Sequence, residues 1–120
     1  MNADFPDEQR GPSADPAEQS LQAMLTALWR SNLNTIAGRL ELVRLAHARA
    51  AEGTLDGRVR ADGRDAAHKL SGILGTFGLP RGSVLAHQAE LLLDEPAPPD
   101  ALALGALVDE LAALIAAKST

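Results

Sequence analysis

The segment AHKLSGILGTFGL, residues 67–79, shows a helical pattern of apolar residues although it contains three glycines. The apolar residues recur three and four positions apart, the spacing that places side chains on one face of a helix: Leu70, Ile73, Leu74 and Phe77. A glycine inside a helix costs about 0.5–1 kcal/mol relative to alanine, and two glycines lie inside this pattern. The segment therefore predicts a buried helical stripe, with glycines whose purpose has to be found on another face.

That other face carries a histidine. With about 100° of rotation per residue, His68 lies opposite the apolar stripe. Gly72 and Gly75 follow on the same outer face, and Arg64 precedes His68 by four residues. An imidazole on the solvent side beside positions without side chains leaves room for a second surface to approach it. A surface histidine without a task is an alternative that stays open. A second alternative, glycines that let a neighbouring helix pack closely, is opposed by the geometry, because Gly72 and Gly75 face away from the apolar stripe.

The composition favours helices. The 120 residues are 46% apolar but only 2% aromatic, and the apolar residues are mostly leucine and alanine. Such a composition suits packed helices better than a sheet, which favours β-branched and aromatic residues. Cysteine is absent, which excludes disulfides, thiolate metal ligands and a cysteine nucleophile. These features fit a reducing compartment, and we expect a cytoplasmic protein.

The N-terminal residues 1–16 predict a flexible tail, because they contain three prolines, a glycine and several charges. The net charge of −5 is concentrated there, with five acidic residues against one arginine in residues 1–18. Neither a basic face nor stacking aromatic residues are present, so we expect no nucleic-acid binding. No segment approaches the roughly 20 apolar residues that cross a bilayer, and we expect no membrane association.

The longest helical pattern runs from about Ala17 to Glu52, where Gly53 ends it. Its first part has apolar residues at helical spacing: Leu21, Met24, Leu25, Leu28 and Trp29. The polar segment SNLN, residues 31–34, is a possible break that would divide this helix into a short and a longer one.

Three further helices are predicted after this one. Thr54 is a candidate N-cap for a second helix that runs to about Phe77, with Gly78 as the residue that stops it. Pro80 suits the first turn of a third helix over about 80–95, and the EPAPPD loop at 95–100 precedes the fourth. Four amphipathic helices with short connections predict an all-α, antiparallel four-helix bundle of up-down-up-down topology over residues 17–120, which we expect to be a monomer.

The third helix supplies a carboxylate. Its apolar stripe is predicted to contain Val84, Leu85, Gln88, Leu91 and Leu92. Glu90 lies about 160° from that stripe, so its side chain is expected at the bundle surface, on the helix that follows His68.

The segment AHKLSGILGTFGL resembles the signature of histidine-containing phosphotransfer (HPt) domains, both that of the chemotaxis kinase CheA and those fused to response regulators. The shared features are a histidine followed by lysine, a glycine four residues later, and the ending GTFGL. A histidine and a glutamate then follow at fixed distances in the CheA domain, and His87 and Glu90 stand at the matching positions. The resemblance extends over residues 66–94.

The resemblance implies a function for these residues. His68 corresponds to the histidine that accepts the phosphoryl group, and Glu90 to the residue that hydrogen-bonds its imidazole. The residues around them are candidate contacts for the phosphoryl group or the partner: Arg64, Lys69, Ser71, Gly72, Gly75 and His87. The family usually has a lysine three residues after the histidine, where this chain has Ser71.

The resemblance also implies partners and excludes some chemistry. The partners are a response-regulator receiver domain, a sensor histidine kinase, or both. The chain is expected to carry the phosphoryl group without an ATP site or cofactor of its own, since no P-loop motif is present. The receiver is expected to supply the Mg²⁺. An imidazole suits this role because its ordinary pKa of about 6.5 leaves a nucleophilic lone pair near pH 7.

Two alternatives differ in class from a phosphocarrier. The first is an adaptor bundle that binds receiver or kinase domains without being phosphorylated, and Ser71 is the feature that favours it. The second is a metal site formed by His47, His68 and His87, although no two of these histidines have the spacing of ligands on one helix.

Overall fold

The structure is a computed structural model that describes residues 15–120; most of the predicted tail lies outside the described residues. Residues 15–120 contain four helices and no strand, which confirms the predicted all-α fold. The helices are α1, Pro16–Glu52; α2, Gly57–Thr76; α3, Pro80–Asp94; and α4, Ala101–Lys118. The chain forms two compact units, one ending at Asn32 and the other covering Leu33–Thr120.

Helix α1 is continuous, so the possible break at residues 31–34 does not occur. Ser31 Oγ and Asn32 Nδ2 both donate to the carbonyl oxygen of Leu28, at 3.0 and 2.8 Å. These hydrogen bonds reach back three and four residues along the same helix, so the polar side chains add to its hydrogen bonding without ending it.

The apolar stripe in the first part of α1 is not buried. Trp29 is buried, but the other large apolar residues of that segment are exposed: Leu21, Met24, Leu25 and Leu28. Helical periodicity identifies which side chains share a face, but it does not say whether another element covers that face.

The unit from Leu33 to Thr120 contains the core of the bundle. All four helices contribute buried apolar residues to this unit, among them Ile36 and Val43 of α1, Leu70 and Leu74 of α2, Leu85 and Leu93 of α3, and Leu104 and Leu111 of α4. Helix α1 lies close to α2 at Gly63, where an added Cβ atom would lie 2.8 Å from Ala46 Cβ. Small residues at this crossing let the two backbones pack closely.

The junction between α1 and α2 differs from the prediction at one residue. The N-cap of α2 is Asp56, whose Oδ1 accepts from the main-chain N–H of Val59 at 2.8 Å. Thr54 instead closes the end of α1, since its N–H donates to the carbonyl oxygen of Arg49 at 2.9 Å. Gly53 has φ +74°, so it adopts the left-handed backbone conformation. A glycine in this conformation, followed by a main-chain hydrogen bond back to the last turn, is a common helix ending.

Helices α2 and α3 form an antiparallel hairpin, as predicted. Gly78 ends α2 with φ +76°, and Pro80 is the first residue of α3. Next to the turn, an added Cβ atom on Gly82 would lie 3.1 Å from Leu74 Cδ1, so this pair packs closely. The end of α3 is held by Arg60 of α2, whose Nε donates to the carbonyl oxygen of Leu93 at 2.8 Å.

The apolar stripe predicted for α3 is wrong in part. The buried face of the helix carries its small residues, Gly82, Ala86 and Ala89. Leu85 and Leu93 are buried on the same face. Val84 and Leu91 are 48% and 51% exposed, and Gln88 is also exposed. Small residues allow a closer approach between helices than large ones, so packing selected the alanine face over the more hydrophobic one.

Candidate functional site

His68 lies in the middle of α2, and 72% of its side chain is exposed. Glu90 lies on α3, beside His68, with only 21% of its side chain exposed. The antiparallel hairpin brings the two together across 22 positions of sequence. The exposure of His68 matches the expectation of an imidazole on the outer side of the bundle, whereas the Glu90 side chain lies beside it and is mostly buried.

The contact between the two side chains involves one nitrogen of the imidazole. His68 Nδ1 lies 3.2 Å from Glu90 Oε1 and 3.1 Å from Oε2. Because an ionised carboxylate only accepts hydrogen bonds, a neutral His68 bonded to it carries its hydrogen on Nδ1. The lone pair then belongs to Nε2, which is the nucleophilic nitrogen of this tautomer.

His87 is a second imidazole at the same carboxylate. It lies one turn before Glu90 on α3, and its Nδ1 is 3.4 Å from Glu90 Oε1. The half-buried carboxylate thus lies between two exposed imidazoles. The structure therefore brings together His68, His87 and Glu90, three of the residues selected from the sequence.

The two glycines of the His68 face differ in their surroundings. An added Cβ atom on Gly72 would meet nothing within 4 Å, so the surface beside His68 is open there. An added Cβ atom on Gly75 would lie 3.5 Å from Ser83 Oγ, an ordinary contact with α3. Both glycines are exposed, as expected of the outer face, but Gly75 also borders α3 at Ser83.

Ser71 also faces α3. Its Oγ lies 3.3 Å from Ser83 Oγ, and Ser83 Oγ donates to the main-chain carbonyl oxygen of Ser71 at 2.8 Å. Sequence reasoning did not select Ser83. A hairpin that turns at Gly78 brings residues 71 and 83 to neighbouring turns, and this signal could have identified the pair.

The two basic residues near His68 occupy different positions. Arg64 Nη1 lies 3.5 Å from Asp94 Oδ1, and Arg64 Nη2 lies 3.4 Å from Asp65 Oδ1. Its guanidinium group therefore lies among carboxylates, of which Asp94 was not selected from the sequence. Lys69 is exposed on α2, next to His68 in the chain.

The histidine metal site has no support in the structure. His68, His87 and Glu90 come together, but in residues 15–120 no group of three or more histidine or carboxylate side chains is arranged so that it could hold a metal ion. His47, the third histidine of that alternative, packs against α4: an added Cβ atom on Gly105 would lie 2.6 Å from its Nε2. It is therefore a packing residue, which fills the space that the glycine leaves.

The comparisons with known proteins identify the family. Residues 16–117 match the family model described as the Hpt domain, so the chain belongs to the Hpt domain family. Comparisons with curated proteins and with solved structures find no match. Hpt domains are phosphocarrier modules rather than kinases; they take part in histidine phosphotransfer in phosphorelays, where they interact with receiver domains and kinases. Across the described helices, none is both long and apolar enough to cross a bilayer.

Proposed function

We propose that this chain carries a phosphoryl group on His68 and exchanges it with an aspartate of a response-regulator receiver domain. The observation that carries the proposal is the contact of His68 Nδ1 with Glu90 at 3.1 Å, on a histidine whose side chain is 72% exposed. One ring nitrogen is occupied by an acceptor, and the other is the nucleophile.

The transfer step follows from this geometry. The lone pair of His68 Nε2 attacks the phosphorus of the aspartyl phosphate, an N–P bond forms, and the P–O bond to the aspartate breaks. The aspartate leaves as a carboxylate. The imidazole gains positive charge as the N–P bond forms, and the Glu90 carboxylate at Nδ1 stabilises that charge. A receiver supplies its own Mg²⁺ and aspartate in this proposal.

The approach of the partner is proposed to follow the open side of the site. Gly72 leaves the surface beside His68 without a side chain, and Val84 and Leu91 are exposed on α3 near His87. Exposed apolar side chains beside a reactive group are a common feature of protein contact surfaces. The wider contact set is the one selected from the sequence: Arg64, Lys69, Ser71, Gly72, Gly75 and His87.

Phosphorylation of His68 is the direct test. The chain is mixed with a phosphorylated receiver domain, and the phosphate that it acquires is assayed for stability in base and lability in acid, which are properties of phosphohistidine. We expect the label on the wild-type chain and none on His68→Gln. His87→Gln is the matched control for the accepting residue: it removes the other exposed imidazole at the same carboxylate, so the chain should still acquire phosphate, although the loss of a contact residue can slow the transfer.

The adaptor function is the second candidate, and Ser71 is the observation that favours it. Its hydroxyl is paired with Ser83, at the position where the family usually has a lysine. An adaptor binds the phosphorylated receiver but acquires no phosphate. If the wild-type chain bound the phosphorylated receiver but acquired no phosphate, the adaptor function would replace the phosphocarrier function.

The role proposed for Glu90 has a separate test. Glu90→Ala removes the acceptor at Nδ1, and we expect the Nε2-protonated tautomer of His68 to become more populated in ¹⁵N NMR spectra. Removing an outer partner that orients a histidine typically costs about 10–100-fold, and we expect a loss of this size in the transfer rate. An unchanged tautomer and rate would show that another group controls the imidazole.

A further inference from the structure

Three polar contacts follow one another along one side of the α2–α3 hairpin. They are Arg64 with Asp94 at 3.5 Å, His68 with Glu90 at 3.1 Å, and Ser71 with Ser83 at 3.3 Å. On both helices the participating residues are separated by nearly whole numbers of turns, so the contacts lie along one line. We refer to these three pairs as the polar seam. The pair that contains the phosphoacceptor lies in the middle.

Ser83 differs from the other members of the polar seam because it bonds to a backbone. Its Oγ donates to the main-chain carbonyl oxygen of Ser71 at 2.8 Å, and it lies 3.5 Å from the place of an added Cβ on Gly75. The hydroxyl thus occupies the space between two turns of α2. A main-chain carbonyl moves only with its helix, so this bond relates the position of α3 directly to the backbone of α2.

The other two contacts of the seam restrict the helices less. Arg64 and Asp94 are long or exposed side chains, and an exposed ion pair of this kind contributes little. Glu90 has several rotatable bonds, so its carboxylate can follow His68 over a range of helix positions. Serine has one side-chain torsion before its oxygen, so its hydrogen bond is made only over a narrow range.

We propose that Ser83 is a positioning residue for His68. Its bond to Ser71 fixes the position of α3 along the axis of α2. This axial position places the Glu90 carboxylate against His68 Nδ1. The expected effect on the rate of phosphotransfer rests on the proposed function, but the expected effect on the tautomer of His68 does not.

Ser83→Ala, with two companion variants, tests this inference. Ser83→Ala loses both the bond to the Ser71 carbonyl and the contact with its hydroxyl. Ser71→Ala is the matched control, because it loses only the hydroxyl contact and keeps the carbonyl bond. Ser83→Thr restores a hydroxyl at position 83. Alanine is the better helix former, so Ser83→Ala is expected to fold.

Two readouts on the full chain separate positioning from general stability. The first is the tautomer of His68 by ¹⁵N NMR, and the second is the rate of phosphoryl transfer from a receiver domain. In Ser83→Ala we expect more of the Nε2-protonated tautomer and a transfer rate lowered by about tenfold, since small misplacements of reacting groups are costly. Ser71→Ala should keep the wild-type tautomer of His68, and Ser83→Thr should recover both properties.

Three outcomes overturn the inference: a wild-type tautomer in Ser83→Ala, an equal effect of Ser71→Ala on the tautomer, or a loss in Ser83→Ala that Ser83→Thr does not recover. A shifted tautomer in Ser83→Ala together with an unlabelled wild-type chain supports the positioning role and contradicts the proposed function. The two failures are therefore distinguishable.

Discussion

Gly72→Gln tests whether the open surface beside His68 serves the approach of a partner. The substitution places a long side chain on the outer face of α2, one turn after His68. An added Cβ atom at Gly72 meets nothing within 4 Å, so the fold has room for the change. The glutamine then occupies the space through which a receiver has to bring its phosphoryl group.

The structure gives a magnitude for both effects. Replacing a helix-interior glycine without a clash should raise the free energy of unfolding by about 0.5–1 kcal/mol. That gain corresponds to a rise of about 2–8 °C in Tm for a domain of this size. Transfer from a receiver should fall by at least about 100-fold, because a displacement of about 1 Å from the reactive geometry already costs that much.

The assay compares a large and a small phosphoryl donor. Phosphoramidate is small enough to reach His68 Nε2 past the glutamine, so Gly72→Gln should still be labelled by it while transfer from the receiver fails. Gly38→Gln is the matched control: Gly38 is also an exposed helical glycine with nothing within 4 Å of an added Cβ. It should gain similar stability and transfer normally.

Two results would refute the reasoning about Gly72. Normal transfer from the receiver to Gly72→Gln would show that the partner does not approach over this surface. Unfolding of Gly72→Gln would show that the glycine is needed for packing, contrary to the open space around it.

Other predictions concern the scaffold. Gly63→Ala should lower the free energy of unfolding by about 1–3 kcal/mol in denaturant titrations, because the new Cβ meets Ala46 Cβ at 2.8 Å; unchanged stability would contradict the close crossing. Asp56→Ala should cost about 1 kcal/mol in the same measurement through loss of the N-cap. The hydrogen bond from Arg81 lowers the pKa of Glu110. The ion pair therefore stabilises the fold at pH values above the ordinary pKa of a glutamate, and this stabilisation is lost as the pH falls through the lowered pKa. Arg81→Ala should raise the pKa of Glu110 in an NMR titration, and its stability difference from the wild type should disappear in acid.

Much of the site could be predicted from the sequence because it depends on local rules. The spacing from His68 to Gly72 fixes a shared helix face, and Gly78 followed by Pro80 fixes where one helix ends and the next begins. A tight antiparallel hairpin then brings Glu90 to the level of His68. Periodicity and turn chemistry were sufficient for these faces and helix ends, whereas the pairing of His68 with Glu90 was predicted from the resemblance to HPt domains.

Other features depended on which helix faces pack together. The wheel of α3 cannot distinguish a stripe with Val84 and Leu91 from one with Ala86 and Ala89, and close packing selected the alanines. The choice between Thr54 and Asp56 as N-cap depended on how the preceding helix closed, since the N–H of Thr54 bonds back to α1.

The sequence by itself determined the four helices, their ends at Gly53 and Gly78, and the exposed histidine; the carboxylate partner of that histidine was predicted from the family resemblance. Only the tertiary structure decided that Gly75 faces Ser83 while Gly72 stays open, and that His47 packs over Gly105. The physical reason is that helical periodicity gives the direction of a side chain around its own axis. What lies in that direction, whether solvent or another helix, follows from the packing of the whole bundle.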